Sequence, residues 1–287
     1  MRRFELLEPT SLAEACELLA ADEEARLIAG GTALLVLIKQ GVFRPETLVN
    51  LKKVQGAAEI SYDPERGLRL GALATIHQVE RAPVVRERYP LLAEACHVVA
   101  NVRIRNSATI GGNVAHGDYQ SDPPTALLAL DSRVELTSRQ GRRELPLSEF
   151  LLGLYETALA PGELVSAVLV PPPPAGLRGT YLKFTTRSSE DRPTIGVAAM
   201  VRQRDGVCAE ARLVIGATTP TPVRVHDAEA LAAGQPLDAA LLQRMAAAAG
   251  AAIEPVDDLH GPAEYKRHVA QVLARRALTA CLEGGPA

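Results

Sequence analysis

The sequence predicts an α/β (α+β) fold: two small mixed units, then a C-terminal antiparallel sheet with helices. Three observations predict it. Over roughly the first 170 residues, short apolar strand-like runs alternate with segments of helical periodicity. Four consecutive prolines at 171–174 then impose an extended break that neither helix nor sheet continues across. Beyond them, three strand-length runs precede three helical ones. The units implied are 1–57, 58–175 and 176–287. With 287 residues, 47% of them hydrophobic and 23% charged, the chain can bury such cores, and its composition is not that of a disordered or collagenous protein.

In the first unit, Thr10 or Ser11 can cap a helix in which Ala15, Cys16, Leu18 and Leu19 fall on one face. Residues 26–29 read as a short buried strand that stops at Gly30-Gly31-Thr32. A helical stretch over 33–39 ends at Gly41, as helices often do, and a second strand spans 47–51. In the second unit, a turn at 64–67 leads into a strand over 68–73, and helical material follows at 75–80 and 91–100. The polar stretch Asn106-Ser107-Ala108-Thr109-Ile110-Gly111-Gly112-Asn113 is unlike its neighbours and reads as a loop. Pro123-Pro124 open a helix, because a missing N–H is tolerated in a first turn. Strand patterns return at 133–138 and 164–170. Past the prolines, strands span 181–187, 195–204 and 207–216, with Asp205-Gly206 a hairpin signal between the last two. Helices close the chain at 227–233, 239–253 and 262–282.

Composition excludes several classes of function. A net charge of -3, no Trp and 3% aromatics supply neither the basic field nor the stacking surface of a nucleic-acid binder. Cys16, Cys96, Cys208 and Cys281 are scattered, and His77, His97, His116, His226, His260 and His268 show no ligand spacing, so no metal site is expected on this chain. The longest apolar runs, 34–38 and 246–253, fall well short of the roughly 20 residues that span a bilayer. Met1-Arg2-Arg3-Phe4-Glu5 lacks the apolar stretch of a secretion leader, so a cytoplasmic address is expected.

Two glycine pairs stand out as candidate chemistry: Ala29-Gly30-Gly31-Thr32 and Thr109-Ile110-Gly111-Gly112-Asn113. A backbone without Cβ can approach a phosphate closely, and successive N–H groups can surround its oxygens. Two such loops meeting at one diphosphate would suit a dinucleotide. A tight turn is the commoner use of any single Gly-Gly. Neither pair matches G-x-G-x-x-G or a P-loop.

The first pair, followed by Leu34-Leu35 and Lys39, resembles the first flavin-binding loop of the FAD subunit of molybdenum hydroxylases. These are the carbon monoxide dehydrogenase medium-subunit and xanthine dehydrogenase flavin-domain proteins. The stretch from Arg105-Asn106 to Val114-Ala115-His116 resembles that family's second loop, and Ser121-Asp122-Pro123-Pro124-Thr125 fits its continuation. With Tyr181-Leu182-Lys183-Phe184 and Arg187, the resemblance covers nearly the whole chain. It implies a two-subdomain p-cresol methylhydroxylase-type FAD-binding fold, followed by a C-terminal three-stranded antiparallel sheet with helices. It further implies non-covalent FAD on this chain and two partners, a small subunit with [2Fe-2S] clusters and a large molybdopterin-binding subunit, in a dimer of heterotrimers. Electrons would pass from the clusters to FAD and on to an external acceptor. A stand-alone flavin-dependent oxidase or dehydrogenase, or a non-redox scaffold subunit, are the alternatives.

The resemblance also implies roles for single residues. Leu27, Ile28, Ala29, Gly30, Gly31, Thr32, Ala33 and Leu34 would wrap the diphosphate and ribityl chain through backbone N–H groups and the Thr32 hydroxyl. Thr109, Ile110, Gly111, Gly112 and Asn113 would do the same from the second subdomain, with His116 beside them. Asp122 matches an FAD-contacting aspartate, although it could equally cap the Pro123 helix. Leu164 matches a backbone contact to the flavin, although it also suits a strand core. Lys183 sits where the family places a cation near the flavin, which would favour the reduced cofactor; otherwise it reads as a solvated strand lysine. Ala33 departs from the Asp, Ser or Glu of many relatives, Tyr119 from their Pro, and Arg192-Pro193 falls near a flavin-shielding position.

Overall fold

The structure is a computed structural model that describes residues 3–283. Met1, Arg2 and residues 284–287 lie outside the described residues, and with them part of the N-terminal segment read above for a leader.

The chain begins with β1 (Glu5–Leu7), α1 (Leu12–Ala21), β2 (Arg26–Ile28), α2 (Leu34–Lys39) and β3 (Thr47–Asn50). The strands form a parallel sheet in the order β1-β3-β2. Parallel neighbours need crossover connections, and α1 and α2 lie between successive strands of this sheet. Ser11, not Thr10, caps α1: its hydroxyl accepts from the Glu14 N–H at 3.1 Å. Thr10 instead donates its N–H and hydroxyl to the Glu14 carboxylate. Ser11→Ala is therefore expected to cost about 1 kcal/mol in urea unfolding. Thr10→Ala, which loses one hydroxyl bond to Glu14 but keeps the backbone one and leaves the helix cap intact, should cost less; the reverse order would contradict this assignment.

The second unit comprises β4 (Ile60–Asp63), β5 (Gly67–Gly71), α3 (Ile76–Arg81), α4 (Pro83–Arg88), α5 (Pro90–His97), α6 (Val102–Arg105), α7 (Ile110–His116) and α8 (Asp122–Ala129). It continues with β6 (Arg133–Ser138), β7 (Gly141–Pro146), α9 (Leu147–Phe150), β8 (Leu151–Gly153), β9 (Glu156–Thr157) and β10 (Leu164–Val170). An antiparallel sheet runs β4-β5-β10-β6-β7, and β8 and β9 form a separate hairpin. Here the structure differs from the sequence reading. The polar 106–113 stretch is not loop throughout, because its glycine pair lies in the first turn of α7. Glycine is a poor helix former, but the Thr109 cap and tertiary packing override that propensity.

After the proline run come β11 (Arg178–Phe184), β12 (Ile195–Arg204), β13 (Val207–Gly216) and the two-residue edge strand β14 (Val223–Arg224), then α10 (His226–Ala232), α11 (Ala239–Ala251) and α12 (Ala263–Glu283). The three long strands form an antiparallel sheet, with β14 added at one edge. Asp205 and Gly206 both have positive φ, the backbone a two-residue hairpin turn requires. Both faces of this sheet are covered. Ala198, Met200 and Val214 join the core of the second unit, while Ile195, Val197, Leu213 and Ile215 pack with Leu242, Met245, Ala274 and Leu278 of α11 and α12. The period-two alternation of the strands assigns these residues to opposite faces. Being apolar on both faces, the stretch from 195 to 201 has no polar stripe.

Candidate cofactor site

A cleft of about 810 Å³ lies where the three units meet. Leu27, Ile28, Ala29, Gly30, Gly31, Thr32, Ala33 and Leu34 line it from the first unit. The turn after β2 needs Gly31, whose φ is +70°. A Cβ on Gly30 would collide with the Ser107 carbonyl, and the Ser107 hydroxyl donates to the Gly30 carbonyl at 2.9 Å. The two glycine motifs are thus locked together by groups 77 residues apart in sequence. The N–H groups of Gly30, Gly31, Thr32 and Ala33 make no hydrogen bond with the described residues. Four adjacent free donors beside a hydroxyl match the oxygens of a diphosphate.

In the second motif four of the five N–H groups, those of residues 110–113, are engaged within the protein: Ile110 donates to the Ala74 carbonyl and Gly111 to the Ala72 carbonyl, both at 2.9 Å. Gly112 donates to the Thr109 hydroxyl at 3.2 Å, and Asn113 to the Thr109 carbonyl at 2.9 Å. Gly111 is buried and helical, and its missing Cβ makes room for Ala72. Gly112 is exposed in the cleft, where a Cβ would stand 3.9 Å from that of Ala29. It keeps open the gap between the two loops. Thr109, Gly111, Gly112, Asn113 and His116 line the cleft, whereas Ile110 points into the core.

Asp122 and Lys183 meet at the cleft wall. Ser121, not Asp122, occupies the cap position of α8. The Asp122 carboxylate accepts from the Tyr181 hydroxyl at 2.8 Å and from Lys183 Nζ at 3.1 Å. Lys183 also donates to the Val98 carbonyl at 2.8 Å. With its side chain only 6% exposed, Lys183 is not a solvated strand lysine. Burial pushes the Asp122 carboxyl up, to about 6, against the opposing pull of Lys183 and Tyr181. The charge Lys183 offers a cofactor is therefore largely offset by its partner. Burial also lowers the His116 pKa, and its ring lies 5.1 Å from that of Tyr155.

Leu164 and Tyr119 do not line the cleft; Leu164 is fully buried in the core beneath α1. Its neighbours Glu163 and Val165 do line it. Arg192 lies at the cleft, paired with Asp118 at 3.0 Å. Sequence reading missed Val99, Ala100 and Ile104 between α5 and α7, and residues 159–163 before β10. Neither carries a cofactor motif; the local signals there are turn residues, Asn101, which caps α6, and Pro161-Gly162, where Gly162 has φ +78°. All four thiols are buried, and among the described residues no cluster of three or more His, Cys, Asp or Glu is placed to hold a metal. No helix among them is long and apolar enough to cross a membrane.

This arrangement is that of an FAD-binding domain, and comparison with known families agrees. The FAD binding domain in molybdopterin dehydrogenase matches residues 2–173, and the CO dehydrogenase flavoprotein C-terminal domain matches residues 180–281. The chain belongs to this family: it is an FAD-binding subunit of the molybdenum hydroxylase class of oxidoreductases. Among its relatives, the carbon monoxide dehydrogenase medium chain of Hydrogenophaga pseudoflava is 33% identical over 97% of this chain and 96% of its own. The nicotine 6-hydroxylase medium subunit of Paenarthrobacter nicotinovorans is 32% identical over 94% of each. Two solved structures superpose closely. Carbon monoxide dehydrogenase from Hydrogenophaga pseudoflava, lacking the Mo-pyranopterin moiety of its cofactor, has a TM-score of 0.94 at 34% identity over 98% of each chain. Quinoline 2-oxidoreductase from Pseudomonas putida 86 has a TM-score of 0.94 at 29% identity, over 99% of this chain and 98% of that one.

Proposed function

We propose that the chain holds one FAD non-covalently in this cleft and relays electrons from [2Fe-2S] clusters on a small partner subunit to an external acceptor. Substrate chemistry would belong to a molybdopterin-binding large subunit, the whole assembling as a cytoplasmic dimer of heterotrimers. The observation that carries the reading is the meeting of the two glycine motifs across one cleft, with free N–H groups at residues 30–33. When bound, FAD supplies a carrier that accepts electrons singly and releases them in pairs. The protein's part is to hold and shield it. Gly30, Gly31, Thr32 and Ala33 would take the diphosphate, while Gly112 leaves it room. The Asp122–Lys183 pair and the residue 98–101 turn form other parts of the cleft wall. We assign residues 1–57 and 58–175 as the two FAD-clasping subdomains and 176–287 as the C-terminal domain.

The purified chain should carry one yellow flavin, released into the supernatant on acid precipitation. Colour that stays with the polypeptide would sink the non-covalent assignment. Expressed alone, the chain should oxidise no substrate, whereas the native complex should contain molybdenum and iron–sulfur chains. Turnover by the isolated chain would instead favour a stand-alone oxidase.

A further inference from the structure

Residues 98–101 join α5 to α6, and Val99 and Ala100 form part of the cleft wall. Three consecutive carbonyls in this turn each accept from a cation. Val98 O accepts from Lys183 Nζ at 2.8 Å; Val99 O and Ala100 O accept from Arg105 Nη1 at 3.0 and 3.2 Å. Ala100 has φ +41°, a conformation that disfavours residues with a Cβ. Neither glycine nor asparagine occupies the position, so the local sequence does not explain it.

Arg105 is itself held. Its Nε donates to Glu80 Oε2 at 3.0 Å. His97 Nδ1 lies 2.9 Å from Glu80 Oε1, and His77 Nδ1 lies 3.3 Å from Oε2. Burial raises the Glu80 pKa, but the His97 hydrogen bond, the Arg105 charge and the His77 contact outweigh it and hold the carboxyl below the usual range. Glu80 is thus a buried anion facing Arg105. Neither of them lines the cleft.

We propose that Arg105, oriented by Glu80, is a positioning residue for the flavin. By drawing the Val99 and Ala100 carbonyls toward itself, it keeps Ala100 in the left-handed conformation. The turn then presents apolar surface to the cofactor. Carbonyl oxygens relaxing into the cleft would place partial negative charge beside a group that gains electrons, and would oppose its reduction. The inference rests on the reading that this cleft holds FAD.

The test uses Arg105→Lys, Ala100→Gly and the double variant in the full chain. Arg69→Met, which breaks the Arg69–Glu135 pair away from the cleft, is the control. FAD affinity is read by fluorescence and the flavin midpoint potential by reductive titration. Arg105→Lys keeps a charge for Glu80 but loses the guanidinium fork, and should weaken FAD binding about tenfold and lower the potential. Ala100→Gly, which takes one methyl from the cleft wall but adopts this φ without strain, sets the reference for the double variant and should lose less affinity than Arg105→Lys. The double variant should recover most of the loss, because the turn then no longer needs the clamp. Arg69→Met should alter neither quantity.

Wild-type affinity and potential in Arg105→Lys would overturn the proposal. So would an equal loss from Arg105→Lys with and without Ala100→Gly, or an Arg69→Met effect as large. Should Arg105→Lys not fold, Glu80→Gln, which keeps an acceptor but removes its charge, is read in the same way. Wild-type protein that binds no FAD would instead overturn the reading of the cleft itself.

Discussion

Gly112→Val is expected to yield a folded chain that retains no FAD. Gly112 is exposed in the cleft, and a Cβ there would stand 2.8 Å from the Thr109 hydroxyl and 3.9 Å from Ala29 Cβ. Two further methyl groups would occupy the gap between the loops. The cost to folding is confined to the Thr109 cap, about 1 kcal/mol, because valine is a better helix former than glycine. Gly111→Val should behave in the opposite way. Its Cβ would collide with Ala72 in the packed contact between α7 and the end of β5. Overpacking of that kind costs typically about 1–3 kcal/mol and more where backbone must move, so that variant should lose stability first and flavin only as a consequence. Visible absorbance per chain, with far-ultraviolet circular dichroism and urea unfolding, separates the two. A folded Gly112→Val chain with near-stoichiometric flavin would refute the two-loop site.

Lys183→Met should destabilise the chain strongly and with a characteristic pH dependence. Removing one partner of a buried pair costs about 3–5 kcal/mol, because the other charge is left without compensation. Asp122 would be that charge, with its side chain 4% exposed. Its folded pKa of about 6 already lies above the ordinary aspartate value of 3.8. In wild type its contribution is therefore fully present below about pH 4 and lost as pH rises through about 6. Without Lys183 the folded pKa rises further and the loss extends to higher pH. Wild type and Lys183→Met should consequently differ little at about pH 5 and most at about pH 8. Adding Asp122→Asn should recover most of the stability at the higher pH. A penalty of equal size at both pH values would show that Asp122 does not carry it.

Much of the architecture was legible in the chain. Strands β6, β10, β12 and β13 were read to their ends from their apolar runs and from Asp205-Gly206. Strands of two or three residues, such as β1, β9 and β14, were not, because so short a run has no period to detect. The turn at the first glycine loop was legible because its geometry is local: a strand ends, Gly31 turns the chain, and the N–H groups of residues 30–33 make no hydrogen bond with the described residues.

What the sequence alone determined was thus most of the longer helices and strands, and that two Gly-Gly motifs are the candidate anion cradles. These depend on neighbours a few residues apart. What only the tertiary structure decided was the use of groups whose partners lie far along the chain. Gly111 and Gly112 are adjacent and identical, yet one faces Ala72 in the core and the other faces Ala29 across the cleft. Asp122 is not a helix cap because Tyr181 and Lys183, 59 and 61 residues later, claim its oxygens in a buried site. Arg105 bonds the Ala100 carbonyl from only five residues on, but Arg105 is itself held by Glu80, 25 residues earlier in α3. Burial and long-range pairing set the energies of these groups, and neither is encoded in the spacing of nearby residues.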